Sequence, residues 1–364
     1  MLKNIYDLET PVLLVDLSRL EANIAAMNLA SARGGKRLRP HIKTHKTPEI
    51  AKMQCQAGAV GLTVAKLGEA EVMAAAGLVD IFVANEIVGS GKIERLMALL
   101  STAKISVGTD SIDVAIPIAE AASRIGRSIP LRIEIDSGHG RTGVTSVEEA
   151  VELAEKLQAL KGIDFEGVYS HEGQTYLADG EEGRQQAVHN AARFVLDVVE
   201  ALQAKDIVCD IISMGSTPGA KFLAGETGIN EMRPGSYVFN DRMQVGYGAD
   251  PADCALTVLS TIISVRPGGR MVLDAGTKSL ASDRPFADGT YGEISGHPEL
   301  MFMGASEEHG NLRVEGHCAL RVGDKVRVVP NHVCTCVNMH DALTVFRGEA
   351  VEAVWKIAAR GKVR

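Results

Sequence analysis

The chain has 364 residues, a length suited to two domains or to one large domain with an appendage. Hydrophobic residues make up 46% and charged residues 23%, an ordinary balance that excludes wholesale disorder. The net charge of −8 leaves no basic excess for neutralising phosphates, and an aromatic fraction of 4% offers few base-stacking platforms, so nucleic acid is not an expected partner.

In chain order, Val12–Val15 reads as a strand, and Ser18-Arg-Leu-Glu21 has the pattern of a capping box that starts a helix ending at Gly34-Gly35. Eight short strand candidates follow, near Lys36–Pro40, Gly61–Val64, Ile81–Val83, Lys104–Val107, Leu131–Ile135, Phe165–Val168, Ile211–Ser213 and Glu231–Arg233. Between them lie helical patterns: one from Thr47-Pro48, then Ala65–Ala76, Gly91–Leu100, Ser111–Ile125, Ser146–Leu160 and Glu181–Lys205. Eight strands alternating with helices predict an α/β fold, a (β/α)8 TIM-type barrel, over an open doubly wound sheet; the Gly-x-Gly-x-x-Gly turn of the latter is missing. From Ala255 onward the runs turn strand-like, at Leu256–Val265, Met271–Asp274, Lys325–Val329 and Leu343–Phe346, with Gly and Pro between them. The expected organisation is a barrel over 18–245, followed by a β-rich C-terminal domain over 246–364 that also takes in the N-terminal strand segment 1–17.

No apolar run approaches the roughly 20 residues that span a bilayer, and Met1–Pro11 lacks the basic and apolar regions of a secretory signal. Six cysteines in so long a chain fit a reduced cytoplasm better than a disulfide framework. No membrane association is therefore expected.

In a parallel barrel the chemistry sits at the carboxyl ends of the strands, so the loops there carry the functional reading. The first holds Pro40-His-Ile-Lys-Thr-His-Lys46, the fifth Asp136-Ser-Gly-His-Gly-Arg-Thr-Gly143 and the sixth Ser170-His-Glu-Gly-Gln-Thr-Tyr176. The seventh and eighth, Met214-Gly-Ser-Thr-Pro-Gly219 and Arg233-Pro-Gly-Ser-Tyr237, offer Gly215, Ser216, Thr217, Gly235 and Ser236, small residues with hydroxyls and amides that suit a phosphate or simply make tight turns. Lys43 fits either a Schiff-base lysine activated by a nearby cation such as Lys46 or a solvated, charge-bearing lysine. A strand-end lysine together with a distant phosphate cradle describes pyridoxal phosphate (PLP) binding, with Arg141 and Arg233 available to the ring oxygen and nitrogen.

In the β-rich region, Pro330-Asn-His-Val-Cys-Thr-Cys336 places His332 and Cys334 two apart. On an extended strand both would face one side and reach one ion, with open positions left for catalysis; a buried Cys and a hydrogen-bonded His is the alternative. The imidazole–thiolate pair favours zinc, while manganese or magnesium remain open if waters complete the shell. His309 is a looser candidate for the same region, and His317 and Cys318, adjacent in sequence, point apart in a strand.

These motifs, in this order, resemble D-threonine aldolases and D-serine dehydratases, together with D-threo-3-hydroxyaspartate dehydratases. The resemblance runs from Thr10-Pro11 to about Asn338. It implies the alanine-racemase-like fold-type III of PLP enzymes and makes Lys43 the Schiff-base lysine. It sets Arg141, His171, Tyr176, Ser216, Thr217, Arg233, Gly235 and Ser236 around the cofactor, and makes His332 and Cys334 the ligands of a divalent metal. It further implies a homodimer and a small D-amino acid substrate with a β-hydroxyl, where a Lewis acid assists either C–C cleavage or loss of hydroxide. D-threonine aldolase activity is the leading expectation. Dehydration of D-serine or D-threo-3-hydroxyaspartate is the alternative, kept open by Leu177, which stands where some aldolases of the family have a histidine; racemisation ranks below both.

Overall fold

The computed structural model describes residues 3–283 and 288–364; Met1, Leu2 and 284–287, which belong to the expected β-rich domain, lie outside the described residues. The chain divides into two compact units. The barrel unit comprises Ala26–Lys43, Ile50–Gly235 and Lys362–Arg364, and the β unit Met1–Ala25, Thr44–Glu49 and Ser236–Gly361. The division therefore falls at Ser236 rather than at 246, because the segment after the eighth barrel strand packs with the later strands: the amides of Val333 and Gln244 both bond the Asp241 carboxylate.

Strand β1 (Val12–Asp16) belongs to the β unit. The barrel unit takes the next eight: β2 (Arg37–Leu38), β3 (Leu62–Val64), β4 (Asp80–Val83), β5 (Lys104–Thr109), β6 (Ile129–Ile135), β7 (Ile163–Ser170), β8 (Ile211–Met214) and β9 (Glu231–Met232). They form one parallel sheet in the order β2-β9-β8-β7-β6-β5-β4-β3. His41 bridges Thr63, and the Thr63 N–H donates to Pro40 O at 2.9 Å, which joins the two end strands and closes a TIM-like barrel.

The helices are α1 (Leu17–Arg33), α2 (Pro48–Gln56), α3 (Leu67–Ala75), α4 (Ser90–Leu99), α5 (Ile112–Arg124), α6 (Val147–Gln158) and α7 (Gly180–Gln203). Helix α6 shows why they form: Ala150, Leu153, Ala154 and Leu157 recur at helical spacing and are buried, and the Ser146 hydroxyl caps the first turn by accepting from the Glu149 N–H. The expected Ser18–Glu21 capping box does not form. Helix α1 starts one residue earlier; Asp16 Oδ1 accepts from the Arg19 N–H at 3.2 Å, and Ser18 and Glu21 bind Arg347 instead. An aspartate caps as well as a serine, so the earlier residue takes the position. Among the described residues no helix is long and apolar enough to cross a membrane.

The barrel encloses a charged network as well as aliphatic side chains. Buried Glu231 accepts from Arg132 at 2.6 Å, from Arg39 at 2.8 Å and from the Ser213 hydroxyl at 2.8 Å, and Arg132 also lies over the Phe82 ring. Burial, the largest influence, raises the Glu231 pKa, but the two guanidinium charges outweigh it and hold the carboxyl at about 2.

The β unit contains a nine-stranded sheet. Its later strands are β10 (Leu256–Arg266), β11 (Arg270–Leu273), β12 (Gly292–Ile294), β13 (Leu300–Ala305), β14 (Gly310–Val314), β15 (Lys325–Pro330), β16 (Ala342–Arg347) and β17 (Ala350–Lys356). The order is β11-β14-β13-β12-β15-β10-β1-β16-β17, with β11 also pairing to β10, so part of the sheet closes on itself. Strand β1 joins it between β10 and β16, antiparallel to the first and parallel to the second, and buries Leu13, Leu14 and Val15.

Replacing Glu231 by Gln strands two buried guanidinium groups and is expected to lower stability by about 3–5 kcal/mol, read as a fall in the urea midpoint. In the parent, the carboxylate's contribution is complete above its ordinary value of 4.5 and fades as pH falls toward about 2. An unchanged midpoint in the variant would contradict the network's role.

Candidate active site

Within the barrel unit, polar side chains converge on His171. Lys43 lies in a single 3-10 turn, Ile42–Thr44, directly after β2, and its backbone N–H donates to His41 Nδ1 at 3.4 Å. Arg141 lies in the loop after β6, which is shaped by Asp136: its carboxylate accepts from the amides of Gly138, His139 and Gly140 at 2.8–3.1 Å. Arg233 follows β9 and is buried; its Nε donates to Ser213 Oγ at 2.8 Å and its Nη2 to Ser170 O at 2.5 Å. Burial first, and then the charges of Lys43, Arg141 and Arg233, push the His171 ring well below its ordinary pKa, so it is neutral at physiological pH. Its Nδ1 lies 3.2 Å from Gly215 O, an acceptor only, which fixes the proton on Nδ1 and leaves Nε2 with a lone pair. The rings of His139 and Tyr176 lie 5.4 and 6.3 Å from that of His171.

The loop after β8 packs tightly against these elements. A Cβ on Gly215 would stand 2.3 Å from the Arg233 backbone nitrogen, so only glycine fits. The Gly215 N–H donates to Glu172 at 3.0 Å, Ser216 Oγ accepts from the Gly219 N–H at 3.2 Å, and the Gly235 N–H donates to Thr217 Oγ1 at 3.3 Å. The amides of Gly215 and Gly235 are thus engaged within the loops, and the Ser216 hydroxyl bonds Glu172 and lies 3.3 Å from Thr175 Oγ1. Glu172 is fully buried, its Oε1 lacks a hydrogen-bond partner, and burial raises its pKa. Small residues, the hydroxyls of Ser216 and Thr217, and a backbone approach at Gly215 too close for any side chain fit a phosphate cradle.

The second group of residues lies in the β unit. The expectation that His332 and Cys334 share an extended strand is corrected: β15 ends at Pro330, His332 is the N-cap of a short helix, Val333–Asn338, and Cys334 lies in its first turn. The two still meet, because the cap residue has extended φ/ψ and its ring turns back over the turn that follows; His332 hydrogen-bonds the Cys334 sulfur. Burial would lower the His332 pKa, but the Cys334 sulfur, Asp241 and Asp283 outweigh it and hold the ring at about 9. Cys334 Sγ lies 3.4 Å from Thr44 Oγ1 and 3.7 Å from Ser236 Oγ. Ser236 therefore lies beside the sulfur, a contact invisible in sequence. Among the described residues no set of three or more His, Cys, Asp or Glu side chains forms a metal cage. An imidazole and a sulfur in contact are a donor pair whose chemistry fits a divalent cation such as zinc. His309 lies in the β13–β14 hairpin, its carbonyl accepting from the Ser306 N–H at 3.0 Å, and Cys318 hydrogen-bonds Glu299.

Sequence reasoning missed the acidic residues of the barrel, Glu86, Asp110 and Glu134, since nothing in their immediate sequence distinguishes them from surface acids. It also missed Asp241, although an Asn-Asp pair before a short amphipathic run is a capping signal.

Residues 15–243 match the alanine racemase N-terminal domain model, and residues 255–346 match a serine dehydratase domain model. The chain is 37% identical to the D-threonine aldolase of Arthrobacter sp over 97% of its own length and 93% of the relative's. It superposes with a TM-score of 0.93 on the crystal structure of D-threonine aldolase from Filomicrobium marinum, at 32% identity, covering 100% of this chain and 99% of that one. A Cys-to-Ala variant of a D-threo-3-hydroxyaspartate dehydratase, solved in a metal-free form, gives a TM-score of 0.90 at 30% identity, covering 97% and 98% of the two chains. The chain belongs to the alanine-racemase-like family of D-threonine aldolases and D-serine dehydratase-like enzymes. It is an enzyme of that family, which implies PLP as cofactor.

Substituting Gly215 by Ala forces the β8 loop away from the Arg233 backbone. We expect a stability loss of about 1–3 kcal/mol from overpacking, measured by urea unfolding. Parent-like stability would show that the close approach is not a constraint.

Proposed function

We propose that the chain is a PLP- and divalent-metal-dependent lyase of D-β-hydroxy amino acids, with retro-aldol cleavage of D-threonine to glycine and acetaldehyde as its reaction. The observation that carries this reading is the pairing of the His332 imidazole with the Cys334 sulfur, with the Asp283 carboxylate 4.0 Å from the ring. A racemase that moves only an α-proton has no use for a cation, whereas chemistry at a β-hydroxyl does.

When bound, PLP supplies an electron sink for charge developing at Cα, and the cation supplies Lewis acidity toward the β-oxygen. Lys43 Nζ holds the cofactor and moves the proton at Cα. Arg233, fixed by Ser213 and the Ser170 carbonyl, and Arg141 supply positive charge for the ring's polar atoms. The neutral His171 ring and Tyr176 bound the cofactor's position, and its Nδ1–H, directed at Gly215 O, cannot turn toward the ring. Ser216, Thr217, Gly235 and Ser236 line the phosphate. His332 and Cys334 hold the cation, of which zinc, manganese and magnesium are the candidates. Asp241 braces them by accepting from the Val333 N–H at 2.9 Å.

Dehydration is the second reading, favoured by Leu177, an exposed aliphatic side chain directly after Tyr176 that can serve as no base. A cytoplasmic homodimer is the corresponding assembly, supported by the family resemblance and by six free cysteines.

Product analysis with D-threonine, D-serine and D-3-hydroxyaspartate separates the readings. The proposal predicts glycine with an aldehyde; ammonia with a keto acid would establish dehydration, and mixed enantiomers alone would overturn both. Chelation is expected to reduce turnover at least about 100-fold, and Lys43→Ala should no longer retain PLP through gel filtration. Full activity without metal would remove the role given to His332 and Cys334.

A further inference from the structure

Glu134, on β6, is almost fully buried and carries three hydrogen bonds. Its Oε2 accepts from Tyr169 Oη at 2.8 Å and from the Thr142 hydroxyl at 3.0 Å, and its Oε1 meets Arg141 Nη2 at 3.4 Å. Glu86, on the loop after β4, hydrogen-bonds the same carboxyl. Glu86 Oε1 is buried, and no N–H or O–H donor reaches it. Two ionised carboxylates cannot hydrogen-bond each other, so a contact between them requires one proton.

We propose that Glu86 and Glu134 share one proton, and that Glu86, held neutral, is a positioning residue that lets Glu134 orient Arg141 toward the cofactor. The inference rests on the reading of Arg141 as a PLP-binding residue. With Glu86 neutral, Glu134 keeps its full charge for Arg141 and its acceptors for Thr142 and Tyr169. With Glu86 ionised, like charges crowd one site and the Glu134 carboxylate is repelled from the position in which it meets Arg141. Three groups face the pair: Asp110 after β5, whose Oδ2 accepts from the Gly143 N–H at 3.3 Å; Tyr169 on β7, itself under the field of Arg233; and Arg141 after β6, which meets Glu134. Among the main influences on Glu86 there is no cation, while Asp110 adds negative charge and the backbone N–H of Glu86 itself opposes the rise. Burial first, and then the hydrogen bond and charge of Glu134, raise Glu86 to about 8. The folded protein therefore keeps a proton that an unfolded chain releases above 4.5, and this group's contribution to stability falls as pH rises from there to about 8.

The test is equilibrium dialysis of PLP against cofactor-stripped parent, Glu86→Gln and Glu134→Gln at about pH 7 and about pH 9. Glutamine at 86 keeps a permanent donor to Glu134 and has no proton to lose. Between the two pH values, affinity of the parent should weaken about tenfold more than that of Glu86→Gln. Glu134→Gln should bind about tenfold more weakly than the parent at the lower pH. Identical pH profiles for the parent and Glu86→Gln would overturn the shared proton, whether or not Glu134→Gln folds; parent-like binding by Glu134→Gln would overturn the orientation of Arg141. A parent that takes up no PLP at all would instead overturn the proposed function, so the two failures are distinguishable.

Discussion

The peptide unit of Gly215 is held at both ends by consecutive residues of one loop. His171 Nδ1 meets its carbonyl and Glu172 accepts from its amide, so the β7 and β8 loops are fastened to each other through a single glycine. The rest of the barrel site depends on this fastening. It fixes the tautomer of His171 and brings the β8 loop against the Arg233 backbone, where no side chain fits. It also draws in the Ser216 hydroxyl, which bonds the same Glu172 carboxyl. The neutral state of His171 follows from the same arrangement, since a ring buried among three cationic side chains cannot accept a further proton.

Acidic side chains are buried in the barrel in opposite protonation states, and partners decide which. Glu231 lies between two arginines and remains ionised far below the usual carboxylate range. Glu86 has another carboxyl as neighbour and no cation of its own, and is driven the other way. Glu172, fully buried, is raised by burial although the Ser216 hydroxyl and the Gly215 amide both donate to it. Burial sets the direction at Glu86 and Glu172, and only at Glu231 do two guanidinium charges reverse it.

The barrel was readable because each strand is a short apolar run between helical patterns: the runs at Ile81–Val83, Lys104–Val107 and Ile211–Ser213 lie within observed strands. The helices expected from Ser111 and Ser146 have those serines as their caps, whereas Ser18 misled because Asp16, two residues earlier, caps as well. In the β unit the runs with strong β-branched content were found, but β12, β13, β14 and β17 were not. β12 has three residues, β13 is an apolar run without a β-branched residue and with Gly304 near its end, β14 carries glycine and polar side chains, and β17, Ala-Val-Glu-Ala-Val-Trp-Lys, has a composition that suits a helix equally. The pairing of His332 with Cys334 was reached through the wrong geometry: residues two apart also meet when the first is a helix cap. Non-local partners such as Glu86 with Glu134, or Asp241 with Val333, leave no trace in local spacing and emerge only from the fold.

The central claim is that a cation held by His332 and Cys334 acts on the β-hydroxyl of a D-amino acid. Cobalt(II) substitution tests it most directly, because a thiolate–cobalt bond has its own charge-transfer absorption and cobalt readily replaces zinc at nitrogen–sulfur sites. The account predicts that the cobalt-loaded holoenzyme shows this band, that D-threonine perturbs it while D-alanine, lacking the hydroxyl, does not, and that Cys334→Ser abolishes it. A cobalt-loaded enzyme that turns over D-threonine without a thiolate band, or whose band ignores the hydroxylated substrate, would contradict it.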